Sequence, residues 1–479
     1  MHTFGTEPLV VNDVVRLSTT TETFMLSNDA RSAIEANMAE SVAASATGAA
    51  YGRTTGVGAN RNVAADDSDG GHGMRLVRSH AAGGGEPYPH EIARAAMVVR
   101  AHQLSRPGSG IPVDVVNGLI EGLNGGKAFS FREFGGVGTG DITALGELAL
   151  CLLGDRPWLD GSTSRHIGSF DASAALSFMS SSAPTLGLAS HAVVRLSTVV
   201  RASLVAATMG SVAIRANRQQ WSEVAQSTRP STGVEECMVV MRRLLDGTDY
   251  LQARTQDPLS YRVLPFIFGP LLESLGRATD ETNRTIDSRI ENPRFVDGAV
   301  WHHGAFNLTS VALAFDTLRL ATCQWLSSSL ARVVKLNDPA YTDQERFLAA
   351  GPAGSSGVMV LEYCAASALE TVRTLADPSS RHTTNISIST EDHAPFASRS
   401  VAATYEMIDA AETVVACELL TALRALRGAR DVSIGSALAE VRDLCGSLGA
   451  DTKDRQLIDD VIVARTMLDT VANVYSARL

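Results

Sequence analysis

The run His191-Ala192-Val193-Val194-Arg195-Leu196-Ser197-Thr198-Val199-Val200-Arg201, continuing to Ile214, decides the fold class. Its apolar residues recur three and four apart, the spacing of one helix face. Arg195 and Arg201 interrupt it, and Ser and Thr are frequent, so it predicts a buried helix and not a membrane span. No run of about eighteen uncharged apolar residues occurs anywhere in the chain. The same spacing, with few Gly or Pro, predicts helices near 173–215, 234–246, 259–289, 306–333, 355–376, 399–427, 434–447 and 454–476. Strand-like alternation is scarce. The expected fold is an all-α bundle of long helices carrying a loop-rich N-terminal part. Helices this long need partners along their length, so burial in a homo-oligomer is expected. Three successive parts are expected: 1–190 loop-rich with the active site, 191–340 the central long-helix bundle, and 341–479 helical and packed on it.

On the N-terminal side, Ser27 to Ala50 predicts an Ala-rich helix entered at Asn28 and Asp29. Tyr51 to Gly73 is rich in Gly, Asn and Asp and predicts loop. Helices over 89–104 and 112–125 are each entered through a proline. Phe129 to Gly140 is Gly-rich, and Asp141 is placed to cap a helix reaching Leu153.

Forty-one Lys and Arg against 52 Asp and Glu leave a net charge of −11, and the positive charges form no stripe. That balance argues against a nucleic-acid face. The six cysteines, Cys151, Cys237, Cys323, Cys364, Cys417 and Cys445, contain no C-x-x-C pair. They read as small apolar residues in a reducing compartment. Met1 to Val11 lacks a basic segment followed by an apolar one, so no signal peptide is expected, and the expected location is the cytoplasm.

Gly135-Gly136-Val137-Gly138-Thr139-Gly140 superficially matches a phosphate loop, but the motif's lysine is missing and no strand clearly precedes it. Its information is a tight path without Cβ atoms just before a helix. Such a path suits an anion, or a backbone that reacts with itself. His302-His303 and His90 with His102 lack metal-site spacing and read as polar loop histidines; no metal site is expected.

Four separated segments then match one family in order. Tyr51-Gly52-Arg53-Thr54-Thr55-Gly56-Val57-Gly58 looks like the loop Y-G-x-N-T-G-F-G. Ser79-His80-Ala81-Ala82-Gly83-Gly84-Gly85-Glu86-Pro87 is the second, with Ser109-Gly110 after the next helix. Gln256-Asp257-Pro258-Leu259-Ser260-Tyr261-Arg262 resembles Q-D-x-Y-S-x-R, and Glu391-Asp392-His393 resembles Q-E-D-H. Glu291-Asn292-Pro293 and Phe306 stand where D-N-P and N-F-H-G are found. Over about 40–400 the chain therefore resembles the histidine/aromatic amino-acid ammonia-lyases.

The resemblance implies a homotetramer with active sites shared between subunits, and elimination of ammonia from an amino acid or the related mutase reaction. The β-hydrogen of an amino acid is barely acidic and ammonia leaves poorly. The family meets this with methylidene-imidazolone, made when Ala-Ser-Gly cyclises and loses water. By this resemblance Tyr51 is the base, its phenol lowered from about 10 by helix N-termini. Arg262 grips the substrate carboxylate, with Gln256 in the same motif. His80 and Glu391 meet the substrate side chain, with Phe306 beside them, and suit a polar ring.

The electrophile motif is altered. Gly138-Thr139-Gly140 stands where Ala-Ser-Gly is expected. Threonine can in principle dehydrate, but its alkene carries an extra methyl that hinders attack. Two polar helper positions fall on Met179 and Leu259. The standard imidazolone is therefore expected to be absent, with no external cofactor in its place. Three functions stay open. The first is an elimination or reverse addition on an amino acid or a similar small molecule. The second is acid/base elimination or cyclisation of an activated substrate in a biosynthetic pathway. The third is a fold relative without catalysis.

Overall fold

In the computed structural model, which describes residues 1–478, the chain forms two compact units, each built from three separate segments. The first comprises 1–194, 278–316 and 378–405; the second comprises 195–277, 317–377 and 406–479. This division is not the expected succession of three parts. Four of its five boundaries fall inside the long helices Ala183–Ala213, Leu264–Ile286, Thr309–Leu336 and Ala397–Gly428, so compactness follows helix packing and not chain order.

Helices dominate both units, and among the described residues strands occur only as short two-stranded pairs. In the first unit His2–Phe4 runs parallel to Phe24–Leu26. Gly84–Pro87 is antiparallel to Arg132–Phe134, and Arg294–Val296 forms a hairpin with Ala299–Trp301.

Several helix ends differ from expectation. The first predicted helix runs Asn28–Thr47 and is capped by Ser27, whose Oγ accepts from the Ala30 N–H at 3.1 Å. Helices His90–Leu104 and Val113–Asn124 start immediately after their prolines. Asp141 stands at the N-cap of Ile142–Leu153 but makes no cap bond there. Its Oδ2 accepts from the Thr185 N–H at 2.8 Å, in the first turn of Ala183–Ala213. That carboxyl is buried with no partner on Oδ1 among the described residues, and burial raises it to about 6.

The predicted 173–215 helix is broken into Ala175–Met179 and Ala183–Ala213. The intervening serines compete for the backbone. Ser181 Oγ accepts from the Ala183 N–H at 3.0 Å, and Ser180 Oγ accepts from Asn292 N at 3.0 Å. The fully buried Arg100 holds this break in place. It donates to Glu291 Oε1 at 2.7 Å and to the Phe178 carbonyl at 2.9 Å. The stretch Ala175–Ala213 is apolar and long enough to cross a membrane, but its most apolar window is 72% buried within the protein, as a core helix is.

The core of the second unit contains an ion pair. Arg332 is fully buried on Thr309–Leu336 and meets Glu418 on Ala397–Gly428, with Nη2 to Oε2 at 3.0 Å. Ser328 and Ser329 accept from the same guanidinium at 2.9 Å each. It also lies over the Trp325 ring at 4.4 Å. Arg195, one of the charges interrupting the opening run, pairs with Glu412 at 2.8 Å.

Candidate active site

The first unit holds a cavity of about 780 Å³. Four loops and two helix ends build it. The loop after Asn28–Thr47 supplies Tyr51. It is fastened by Arg53, which stacks on Phe295 at 4.5 Å and donates to Ser41 Oγ at 2.8 Å and the Gly110 carbonyl at 2.9 Å. The C-terminal end of His72–His80 supplies His80. The Gly-rich turn before Ile142–Leu153 supplies Thr139, and the hairpin exit supplies His302 and Phe306.

Glu391 enters on an unusual turn. Ser387, Ile388 and Ser389 are all left-handed, with φ of 54°, 50° and 62°. Such a backbone is costly for L-residues. It is held by reciprocal bonds between Ile386 and Glu391 at 2.8 and 3.2 Å, and by the Ala59 N–H donating to Ser387 Oγ at 3.0 Å. Gly58 permits this clasp: at φ +57°, a Cβ on it would lie 2.3 Å from Ser387 Oγ.

Tyr51, His80, Thr139, Gly140, Phe306 and Glu391 thus converge on one cavity. The Thr139 hydroxyl donates to Glu391 Oε2 at 3.3 Å. His80 Nδ1 lies 2.8 Å from the Leu76 carbonyl, which only a nitrogen carrying hydrogen can satisfy. In the neutral ring the Nε2 lone pair is then free for chemistry. The Tyr51 phenolic oxygen accepts from the Gly58 N–H at 2.7 Å. Burial pushes this phenol above its ordinary value. Gly58 opposes that shift, Glu391 adds to it, and Arg61 opposes it. Desolvation is the largest influence on Tyr51, and its direction is opposite to the lowering expected from helix N-termini.

Other expected site residues lie elsewhere. Gly138 is buried beneath the turn, where the Leu308 N–H donates to its carbonyl at 3.0 Å. Met179 is fully buried, and its neighbours Leu176 and Ser180 face the cavity instead. Gln256, Leu259 and Arg262 belong to the second unit. There Arg262 donates to Gln256 Oε1, and Leu259 is 59% exposed. Arg61 and His302 are among the lining residues that carried no sequence signal of a site. Arg61 lies in a loop read only as Gly/Asn-rich. His302 read as a loop histidine, yet its Nε2 accepts from the Tyr51 backbone N–H at 3.3 Å.

The chain belongs to the aromatic amino acid lyase family, whose sequence profile matches residues 9–445. This is the histidine/phenylalanine ammonia-lyase family, and membership makes the chain a carbon–nitrogen lyase. Among its relatives is the histidine ammonia-lyase of Geobacillus thermodenitrificans. The two are 28% identical over 459 residues, 88% of this chain and 89% of that one. Two solved structures share the fold. The ergothioneine-degrading ergothionase of Treponema denticola, in complex with desmethyl-ergothioneine sulfonic acid, superposes with a TM-score of 0.90 at 20% identity, covering 98% of this chain and 99% of that one. The histidine ammonia-lyase of Trypanosoma cruzi also gives 0.90, at 23% identity, covering 100% and 96%.

Proposed function

We propose that this protein is a lyase that eliminates an amine from an amino acid or amino-acid-like substrate without a methylidene-imidazolone. Tyr51 removes the proton from the carbon next to the one bearing the amine. The C–H electrons become the new C=C bond, and the C–N electrons leave with the amine. A substrate whose hydrogen is more acidic, or whose amine leaves more readily than ammonia, needs no electrophile. His80 Nε2 and the Glu391 carboxylate border the same space and serve the proton that Tyr51 takes up. Arg262 of a neighbouring copy, in a homotetramer, grips the carboxylate bidentately. The expected compartment is the cytoplasm.

The observation that carries this reading is Thr139 itself. Its hydroxyl, the group that dehydration would remove, is engaged by Glu391. Loss of water from Gly138-Thr139-Gly140 could give only a methyl-substituted alkene, never a methylidene. An alanine at 138 also meets resistance: the backbone is left-handed there at φ +91°, and a Cβ would sit 2.7 Å from Ala397 N. Intact-mass spectrometry of purified protein tests the point. The mass calculated from the sequence is expected, and a deficit of two waters would refute the reading.

The pH profile supplies a second test. A phenol raised by burial is protonated at neutral pH, and below its pKa the phenolate fraction grows about tenfold per unit. With Tyr51 as base, kcat/KM is expected to climb steadily from neutral pH and to level only above about 10. A plateau already reached between about pH 7 and 8.5 would assign the base to another group.

A further inference from the structure

Two opposite charges line the cavity without pairing with each other. The Glu391 carboxylate takes the Thr139 hydroxyl at 3.3 Å. Arg61 Nη1 donates to the hydroxyl of the adjacent Thr390 at 2.8 Å. Among the described residues no carboxylate forms an ion pair with Arg61. A guanidinium presents five N–H donors in one plane, and a single hydroxyl occupies one of them. Arg61 is an exposed side chain, and the backbone fixes where it starts. Arg61 closes the turn Gly58–Asn60, its N–H bonded to the Gly58 carbonyl at 3.1 Å. That turn also carries the Gly58 N–H that holds the Tyr51 phenol. Arg61 and the N–H that holds the phenol therefore belong to one short loop, and the Arg61 charge acts on Tyr51.

A cation held at a reaction cavity by a neutral hydroxyl has room for an anion. A carboxylate matches its fork with two parallel hydrogen bonds. The adjacent Glu391 would repel an anion placed against it, so the partner must approach from the Arg61 side.

We propose that Arg61 is a specificity-determining residue that grips a second carboxylate, borne on the substrate's side chain. The substrate class is then a carboxyl-bearing amino acid. This rests on the elimination reading above, in which Arg262 takes the first carboxylate.

Calorimetric titration of the full-length protein tests it with two matched pairs of probes: 4-carboxy-L-phenylalanine against L-phenylalanine, and L-2-aminoadipate against L-norleucine. The carboxyl-bearing member of at least one pair is expected to bind about tenfold tighter or better, the scale of a charge-assisted hydrogen bond. Arg61→Gln is expected to erase that preference while leaving the neutral member's affinity unchanged. Arg61→Lys, which keeps the charge without the fork, is expected to retain part of it. No preference in the wild type overturns the proposal. So does an equal loss for both members in Arg61→Gln, which would make Arg61 an anchor of the α-carboxylate or a support of the loop. Arg262→Gln reports separately on the underlying reading, with equal weakening of all four probes expected. If it changes none of them while the Arg61 preference persists, the Arg262 assignment fails and the Arg61 inference stands.

Discussion

Tyr51→Phe is expected to lower kcat by about 10²–10⁴-fold, the usual contribution of a positioned general base, with a much smaller change in KM. The variant keeps the ring and removes only the oxygen. That oxygen also accepts the Gly58 N–H at 2.7 Å. Its loss therefore costs the loop a hydrogen bond of about 1 kcal/mol, too little to unfold the protein. Amine release from a turned-over amino acid measures the effect, with thermal unfolding as the control for folding. Retention of more than about a tenth of wild-type kcat would remove Tyr51 from the role of base. Its pH profile separates the phenol from a neighbour: residual activity in the variant should lose the steep rise with pH, since no group with a phenol's pKa remains to carry it.

The largest stability effect is expected at Glu418. Replacing it with Gln leaves the Arg332 guanidinium fully buried and its charge uncompensated. Removing one partner of a buried pair costs about 3–5 kcal/mol, because desolvation of the survivor is no longer offset. The serines at 328 and 329 and the face of Trp325 still contact Arg332, but none of them carries a negative charge. The urea midpoint followed by the fluorescence of the four tryptophans, among them Trp325 beneath the Arg332 guanidinium, should fall. A double replacement, Arg332→Met with Glu418→Leu, should recover most of the loss. An unchanged midpoint for Glu418→Gln would show that water reaches this pair.

The helical class was legible because its signal is local. Apolar residues three and four apart along 191–214 can hide from water only on a helix face, whatever the neighbours are. Helix starts at Pro89 and Pro112 were legible for the same reason. Asp141 was misplaced because N-cap chemistry was read along the chain, whereas its carboxylate serves a helix that begins more than forty residues later. The break at 180–182 was invisible because Ser180 finds its partner at Asn292, a pairing only the fold creates.

The site divides in the same way. Tyr51, His80, Thr139 and Glu391 each stood in a recognisable stretch of sequence, and the structure brings all four to one cavity. Arg61 and His302 stood in no motif. What marks Arg61 is the Thr390 hydroxyl and the lack of a carboxylate partner, and both are facts of three-dimensional proximity. The state of Tyr51 was read in the wrong direction for a related reason: residue type gives the ordinary value, but burial and the competing influences of Gly58, Glu391 and Arg61 set the shift. By itself, then, the sequence determined the helices, the altered Gly-Thr-Gly and the candidate residues of the site, because those depend on residue type and short spacing. Tertiary structure alone decided which side chains share the cavity, which charges stay unpaired in it and how readily its phenol ionises, because these depend on solvent exclusion and on contacts between distant parts of the chain.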